Sequence, residues 1–161
     1  MIKYDIYNSI NGTSLLEKEE IVTFLQENLD QYGDKREDIE RAISYAIKES
    51  SLTGGFILVA RKEDQIVGAV VMNTTGMKGY IPENILVYIA ISKNQRGKGL
   101  GKEMMEKAID MADGDIALHV EPDNPARKMY KKMGFSSKYI EMRYHKKESK
   151  RKISWIRTPV S

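Results

Sequence analysis

The run Arg96-Gly97-Lys98-Gly99-Leu100-Gly101-Lys102 sets three glycines at alternate positions beside two lysines. Glycine lets the backbone come close to a ligand, and the free N–H groups at a helix start favour an anion. The run stands between an apolar segment, Ile85 to Ile91, and a helical pattern that begins near Gly99. A phosphate cradle is the chemistry this stretch supports; an ordinary tight turn into a helix is the plain alternative. Two familiar phosphate loops fail on spacing. GxxxxGK[ST] would need glycine at Arg96 and Ser or Thr at Glu103, and GxGxxG would need glycine at Lys102. The pattern that remains is R-G-x-G-x-G.

Two other side chains have the chemistry to move a proton. His119 lies in Leu118-His119-Val120, where strand alternation puts Leu118 and Val120 on one face and His119 with Glu121 on the other. Imidazole is the side chain that most readily takes a proton from an ammonium near neutral pH, directly or through water. A buried structural histidine is the competing reading. Tyr130 shares a helical face with Ala126, Met129 and Met133, which by itself describes a core tyrosine. Asn124 before Pro125 reads as a helix cap and first-turn pair. With no cysteine and two histidines, neither a disulfide frame nor a metal centre is expected.

The elements that must position these residues follow from periodicity. Residues 14–30 and the run Ile39, Ala42, Ile43, Ala46, Ile47 repeat at helical intervals, separated by a break at Tyr32-Gly33-Asp34. Phe56–Arg61 and Gln65–Met72 read as strands of a hairpin around Lys62-Glu63-Asp64. Ile85–Ile91, apolar throughout, fits a strand covered on both faces. A helix over 99–112, a strand over Ile116–Val120, and a helix from Asn124-Pro125 to Gly134 follow. Phe135 and a last strand over Tyr139–Tyr144 then complete the sheet. The order β, α, α, β, β, β, α, β, α, β describes an α/β chain of the α+β type, a mixed sheet with about four helices on its faces.

The chain has 161 residues with 41% hydrophobic and 30% charged, enough for one core. No run is long enough to span a membrane, and no signal stretch opens the sequence, so a cytoplasmic protein is expected. Residues 1–126 carry 14 basic against 21 acidic residues and residues 127–161 carry 12 against 2. A basic end of this kind suits an anionic ligand or a solvated surface; no nucleic-acid signature accompanies it, and no nucleic-acid partner is expected. Residues 1–145 read as one domain, and 146–161 as a basic tail whose Ile153, Trp155 and Ile156 suit docking on a second subunit of a homodimer.

The sequence resembles the GNAT superfamily of acetyl-CoA-dependent N-acetyltransferases. Arg96, Gly99 and Gly101 meet the family's Q/R-x-x-G-x-G/A signature, the strand end Ile89-Ala90-Ile91-Ser92 precedes it, and Leu118-His119-Val120-Glu121-Pro122-Asp123-Asn124 follows. Asn124 to Phe135 resembles the family's N-x-x-A-x-x-x-Y-x-x-x-G-F ending, with the alanine one residue nearer the asparagine. The resemblance implies the acyl-CoA N-acyltransferase fold and acetyl-CoA as co-substrate, with no metal. It implies that the backbone of Ile89, Ala90 and Ile91 holds the pantetheine arm. Likewise, Arg96, Gly97, Lys98, Gly99, Leu100, Gly101 and Lys102 would hold the pyrophosphate, and Asn124 would touch the arm. Tyr130 would protonate the departing thiolate, and the Ile91 N–H would face the oxyanion. Many relatives carry a Glu base where this chain has Ile85, and Glu83 stands two residues too early; His119 stands where some protein acetyltransferases carry their base.

Two functions are consistent with this: transfer of acetyl to a primary amine of a small molecule, peptide or protein by direct attack, or a non-catalytic acyl-CoA-binding or partner-binding domain of the same fold. Residues 13–50, with ten acids against five bases, and the Asn73–Tyr80 loop would wall the acceptor side. A cationic acceptor is favoured.

Overall fold

The computed structural model describes residues 1–49 and 53–147. The chain runs β1 (Lys3–Asn8), α1 (Leu15–Asn28), α2 (Arg36–Ala46), β2 (Gly55–Lys62), β3 (Gln65–Thr74), β4 (Asn84–Ile91), α3 (Leu100–Met111), β5 (Ile116–Leu118) and α4 (Ala126–Lys132). Short 3-10 turns at Asp30–Tyr32 and Lys93–Gln95 follow α1 and β4. The five strands lie in sequence order, the first four antiparallel, and β5 parallel to β4. The mixed α+β sheet with helices on both faces is the expected one.

Local chemistry accounts for the elements. Ser14 accepts from the Glu17 N–H at 3.1 Å while the Glu17 carboxylate accepts from the Ser14 N–H at 2.9 Å, a reciprocal cap that starts α1. The β2–β3 hairpin closes over two residues, Glu63 and Asp64, both left-handed, with φ of 51° and 63°. This is the turn geometry that matches strand twist, here made without glycine.

The sheet is covered on both sides. Ile21, Leu25, Ile39 and Ile43 of α1 and α2 bury against Ile57, Val59 and Val71 on one face. On the other, Leu100, Met104 and Met105 of α3 and Tyr130 of α4 bury against Leu58, Val70, Met72 and Leu86. Each fully buried aliphatic side chain contributes roughly 1.5–3 kcal/mol. The fit on the α3 side is close: a Cβ on Gly68 of β3 would sit 2.4 Å from the Met104 sulfur, so glycine there is what lets α3 approach. No helix among the described residues is long and apolar enough to cross a membrane.

Several expectations are corrected. The strand expected over Ile116–Val120 stops at Leu118. The strand expected over Tyr139–Tyr144 does not form; Tyr139, Ile140, Met142 and Tyr144 are exposed, and residues 136–147 make no backbone hydrogen bond among the described residues. Alternating sequence stabilises a strand only when a ladder partner is present, and among the described residues the sheet ends at β5. Leu15 and Leu16, which fit the helical spacing of α1, sit in its first turn outside the packed face and are exposed. Ile153, Trp155 and Ile156 lie outside the described residues.

Candidate active site

The site grows from the point where β4 and β5 part. They pair only as far as Leu86 and Leu118, after which β4 continues to Ile91 with β3 alone beside it. A register shift at Val71/Met72 of β3 lies opposite that point. The Ser92 N–H donates to the Val67 carbonyl at 2.9 Å. In an antiparallel ladder the bonded pairs alternate, so Ala90 spends its backbone groups on Ala69 while Ile89 and Ile91 turn theirs away from β3 toward the opening. Their side chains pack on the α3 and α4 core.

The glycine run follows at the same end. Gly97 and Gly99 are left-handed, with φ of 77° and 83°, and no atom lies within 4 Å of where a Cβ would stand on either. Gly99 is the residue before α3, and Leu100 is buried beneath the loop, which anchors it. Among the described residues, the backbone N–H groups of Gly97 to Lys102 donate to no protein atom. Successive unpartnered N–H groups at the positive end of a helix form an anion-binding concavity. Lys98 and Lys102 are exposed on it, Lys102 at 3.9 Å from Glu106. Gly101 faces the other way, its Cβ position 3.6 Å from Ile91 Cγ1 and 3.9 Å from the Met129 sulfur.

Arg96 turns away from this concavity. Its guanidinium donates to Asp30 Oδ2 at 3.0 Å, to the Asn28 carbonyl at 2.9 Å and to the Ile91 carbonyl at 3.0 Å. The segment Asn28–Asp34, between α1 and α2, is held at two further points. Tyr32 donates to the Asp123 carbonyl at 3.3 Å, in the connection after β5, and Tyr88 of β4 donates to Asp34 Oδ2 at 2.6 Å. The segment is therefore tied to both banks of the opening. Burial and the Asp34 carboxylate beside it push the Tyr88 hydroxyl well up from its ordinary pKa, so it is a permanent donor.

Sequence reasoning missed these contacts between Asn28–Asp34 and the banks. The available signal was Tyr88, the one hydroxyl in an otherwise apolar strand.

Tyr130 is buried in α4, 5.8 Å edge-on from the Phe135 ring, and its hydroxyl is unbonded among the described residues. Burial pushes it up to about 12. Asn124 Oδ1 accepts from the Ala126 N–H at 2.9 Å, so it caps the helix start as its sequence position implied. His119 lies one residue past β5 and is exposed, while Leu118 and Val120 pack inward, as alternation required; the buried structural histidine is excluded. Glu83 accepts from the Asp115 N–H at 3.2 Å at the start of β4, the end far from Ile89 and Ile91. The Asn73–Tyr80 loop, expected on the acceptor side, also joins β4 at that far end, where Thr74 pairs with Asn84. No group of three or more metal-ligating side chains occurs among the described residues.

Several solved structures share this fold. A GNAT family acetyltransferase from Streptococcus pneumoniae TIGR4 is similar in structure, with a TM-score of 0.66 at 18% identity over 92% of this chain and 100% of that one. A ribosomal-protein-alanine N-acetyltransferase from Brucella melitensis biovar Abortus 2308 gives 0.59 at 15% identity over 90% and 99%. An aminoglycoside N-acetyltransferase solved in complex with CoA gives 0.65 at 13% identity over 91% and 95%. At these identities the likeness is one of fold. No curated protein matches by sequence. The acetyltransferase (GNAT) family profile matches residues 17–135, which take in α1 from Glu17 onward, α2, the glycine run and Tyr130. The chain belongs to the acetyltransferase (GNAT) family.

Proposed function

We propose that this protein is an N-acetyltransferase that moves an acetyl group from acetyl-CoA to a primary amine. The observation that carries the reading is the run of unpartnered N–H groups from Gly97 to Lys102, adjoining the outward backbone of Ile89 and Ile91. A diphosphate fits the first and a pantetheine amide the second, and the open space at Gly97 and Gly99 leaves room for phosphate oxygens. Lys98 and Lys102 add charge. Bound there, acetyl-CoA supplies an acetyl thioester, whose carbonyl carbon is the electrophile.

The residues of this chain then have distinct tasks. The Ile91 N–H, unused by β3, is oriented to stabilise the oxyanion that forms when the amine attacks. Tyr130, protonated throughout the physiological range, donates its proton to the departing thiolate. His119, exposed beyond β5, takes the proton that the acceptor's ammonium must lose before its nitrogen can attack. Asn124 caps α4 and so fixes the helix that carries Tyr130.

The test is to mix the protein with acetyl-CoA and a panel of amines while following free thiol, with calorimetry of acetyl-CoA binding in parallel. Amine-dependent thiol release supports the enzyme. Tight binding with no release from any amine would leave an acyl-CoA-binding domain.

A further inference from the structure

We infer that Asp34, held by Tyr88, selects acceptors that carry a second cationic group, and that it binds the ammonium or guanidinium that does not react. The inference rests on the acetyltransferase reading and concerns its acceptor side.

Asp34 shares with Glu27 and Glu37 the lack of an ion pair among the described residues, and differs from them in being held by a buried hydroxyl. Among the acids of this region, Asp30 pairs with Arg96, Asp38 with Arg41, and Glu19 and Glu40 with Arg36. Asp34 has no basic partner among the described residues, and it is exposed. Its position is nonetheless fixed. The Tyr88 hydroxyl, from a side chain only 7% exposed, grips one oxygen at 2.6 Å across 54 residues of sequence. A buried phenol that orients an exposed carboxylate does no work for the carboxylate's own solvation, which water provides. It does fix where a cation would be received. A carboxylate has about four acceptor sites, and the phenol uses one.

The place is also informative. Asp34 ends the segment Asn28–Asp34, which is tied to β4, to the turn after β4 and to the connection after β5. It therefore stands beside the opening between β4 and β5 on the α1/α2 face of the sheet, to which Tyr88 belongs, whereas the loop with Lys98 and Lys102 leads into α3 on the other face. The anionic co-substrate and a cationic acceptor would thus meet charges of opposite sign on the two sides of one cleft. An ion-paired ammonium is held protonated and is a poor nucleophile, so the group that Asp34 binds is the one that stays unreacted.

The experiment compares diaminobutane with butylamine as acceptors in the full-length wild type, Asp34→Asn and Tyr88→Phe. In the wild type, kcat/KM should favour the diamine by about threefold to fivefold, the scale of one exposed ion pair. Asp34→Asn should remove that preference through KM, leaving butylamine turnover and acetyl-CoA affinity unchanged; Tyr88→Phe should weaken it in part. Calorimetric titration of diaminobutane into the CoA-bound protein reads the same site without turnover. Binding lost in Asp34→Asn supports the inference even if no amine is acetylated, a result that would sink only the enzyme reading. Equal use of both amines by the wild type, equal slowing of both in Asp34→Asn, or absence of diamine binding would overturn it.

Discussion

The Arg96 guanidinium lies 3.0 Å from Asp30 Oδ2, joining the turn after β4 to the segment between α1 and α2. The family resemblance implies Arg96 as a phosphate ligand, but each of its three nitrogens donates to protein, to Asp30 and to the carbonyls of Asn28 and Ile91. It acts as a brace between the end of β4 and the segment that links α1 to α2. Both partners are about two-fifths exposed, 41% and 39%, so the ion pair contributes at most ~1 kcal/mol, and the carbonyl bonds to the planar fork carry the rest.

Arg96→Lys keeps the charge and loses the fork, and Asp30→Asn keeps the shape and loses the charge. Both should raise the acceptor KM several-fold while leaving the acetyl-CoA dissociation constant within about twofold, a KM-against-Kd split that steady-state kinetics and calorimetry resolve. If Arg96→Lys weakens acetyl-CoA strongly and Asp30→Asn does nothing, the arginine belongs to the phosphate.

The glycines of the run are expected to behave differently from one another. Gly99 is left-handed, so Gly99→Ala costs roughly 1–2 kcal/mol of backbone strain and also adds a methyl where the ligand must approach. Thermal stability and acetyl-CoA affinity should fall together. Gly101 has ordinary helical space around its Cβ position, so Gly101→Ala should leave the free protein as stable or more stable, by up to ~1 kcal/mol. Its Cβ would face Ile91 and Met129, away from the concavity, so acetyl-CoA affinity should hold in Gly101→Ala. Unchanged affinity in Gly99→Ala would remove the phosphate from this loop.

The sheet and the glycine run were legible because each rests on local pattern: helical spacing in α2 and α3, β-branched runs in β2 and β3, an unbroken apolar β4, and glycine where the backbone turns left-handed. What the sequence did not display was tertiary. Nothing near Arg96 says that its partner is Asp30, 66 residues earlier, and nothing near Tyr88 points to Asp34. The alternation in Tyr139–Tyr144 was equally plain, yet a pattern cannot supply the second strand a ladder needs, and the segment stays unpaired. His119 was the intermediate case. Alternation placed it opposite Leu118 and Val120, but its exposure depended on where β5 stops.

Tyr130 offers a pH test. Burial raises its hydroxyl to about 12, so the phenol is protonated at every pH at which the protein would be assayed, and its loss of a proton cannot produce an alkaline limb near pH 8 or 9. Tyr130→Phe should therefore lower kcat by ~10²-fold by removing the general acid, at all pH values alike, with the limbs of the profile unmoved. Acetyl-CoA affinity should hold, because the ring that packs on Phe135 is kept. Full turnover in Tyr130→Phe, with chemistry shown to be rate-limiting, would return the residue to the core that its helical face describes.

His119 is the base in this reading, and a base is tested by removing its basicity. A neutral imidazole accepts the ammonium's proton and an imidazolium cannot. His119→Ala should lower kcat/KM for the amine, leaving only the reaction of the free amine itself. Because His119 is exposed and its neighbours Leu118 and Val120 carry the packing, the variant should lose little stability, and its melting temperature separates a chemical from a structural effect. His119→Gln, which keeps polarity but not basicity, should match the alanine variant. A full rate in both variants would mean that water, Glu121 or the acceptor's own unprotonated fraction does this work, and that His119 stands beside the reaction without taking part.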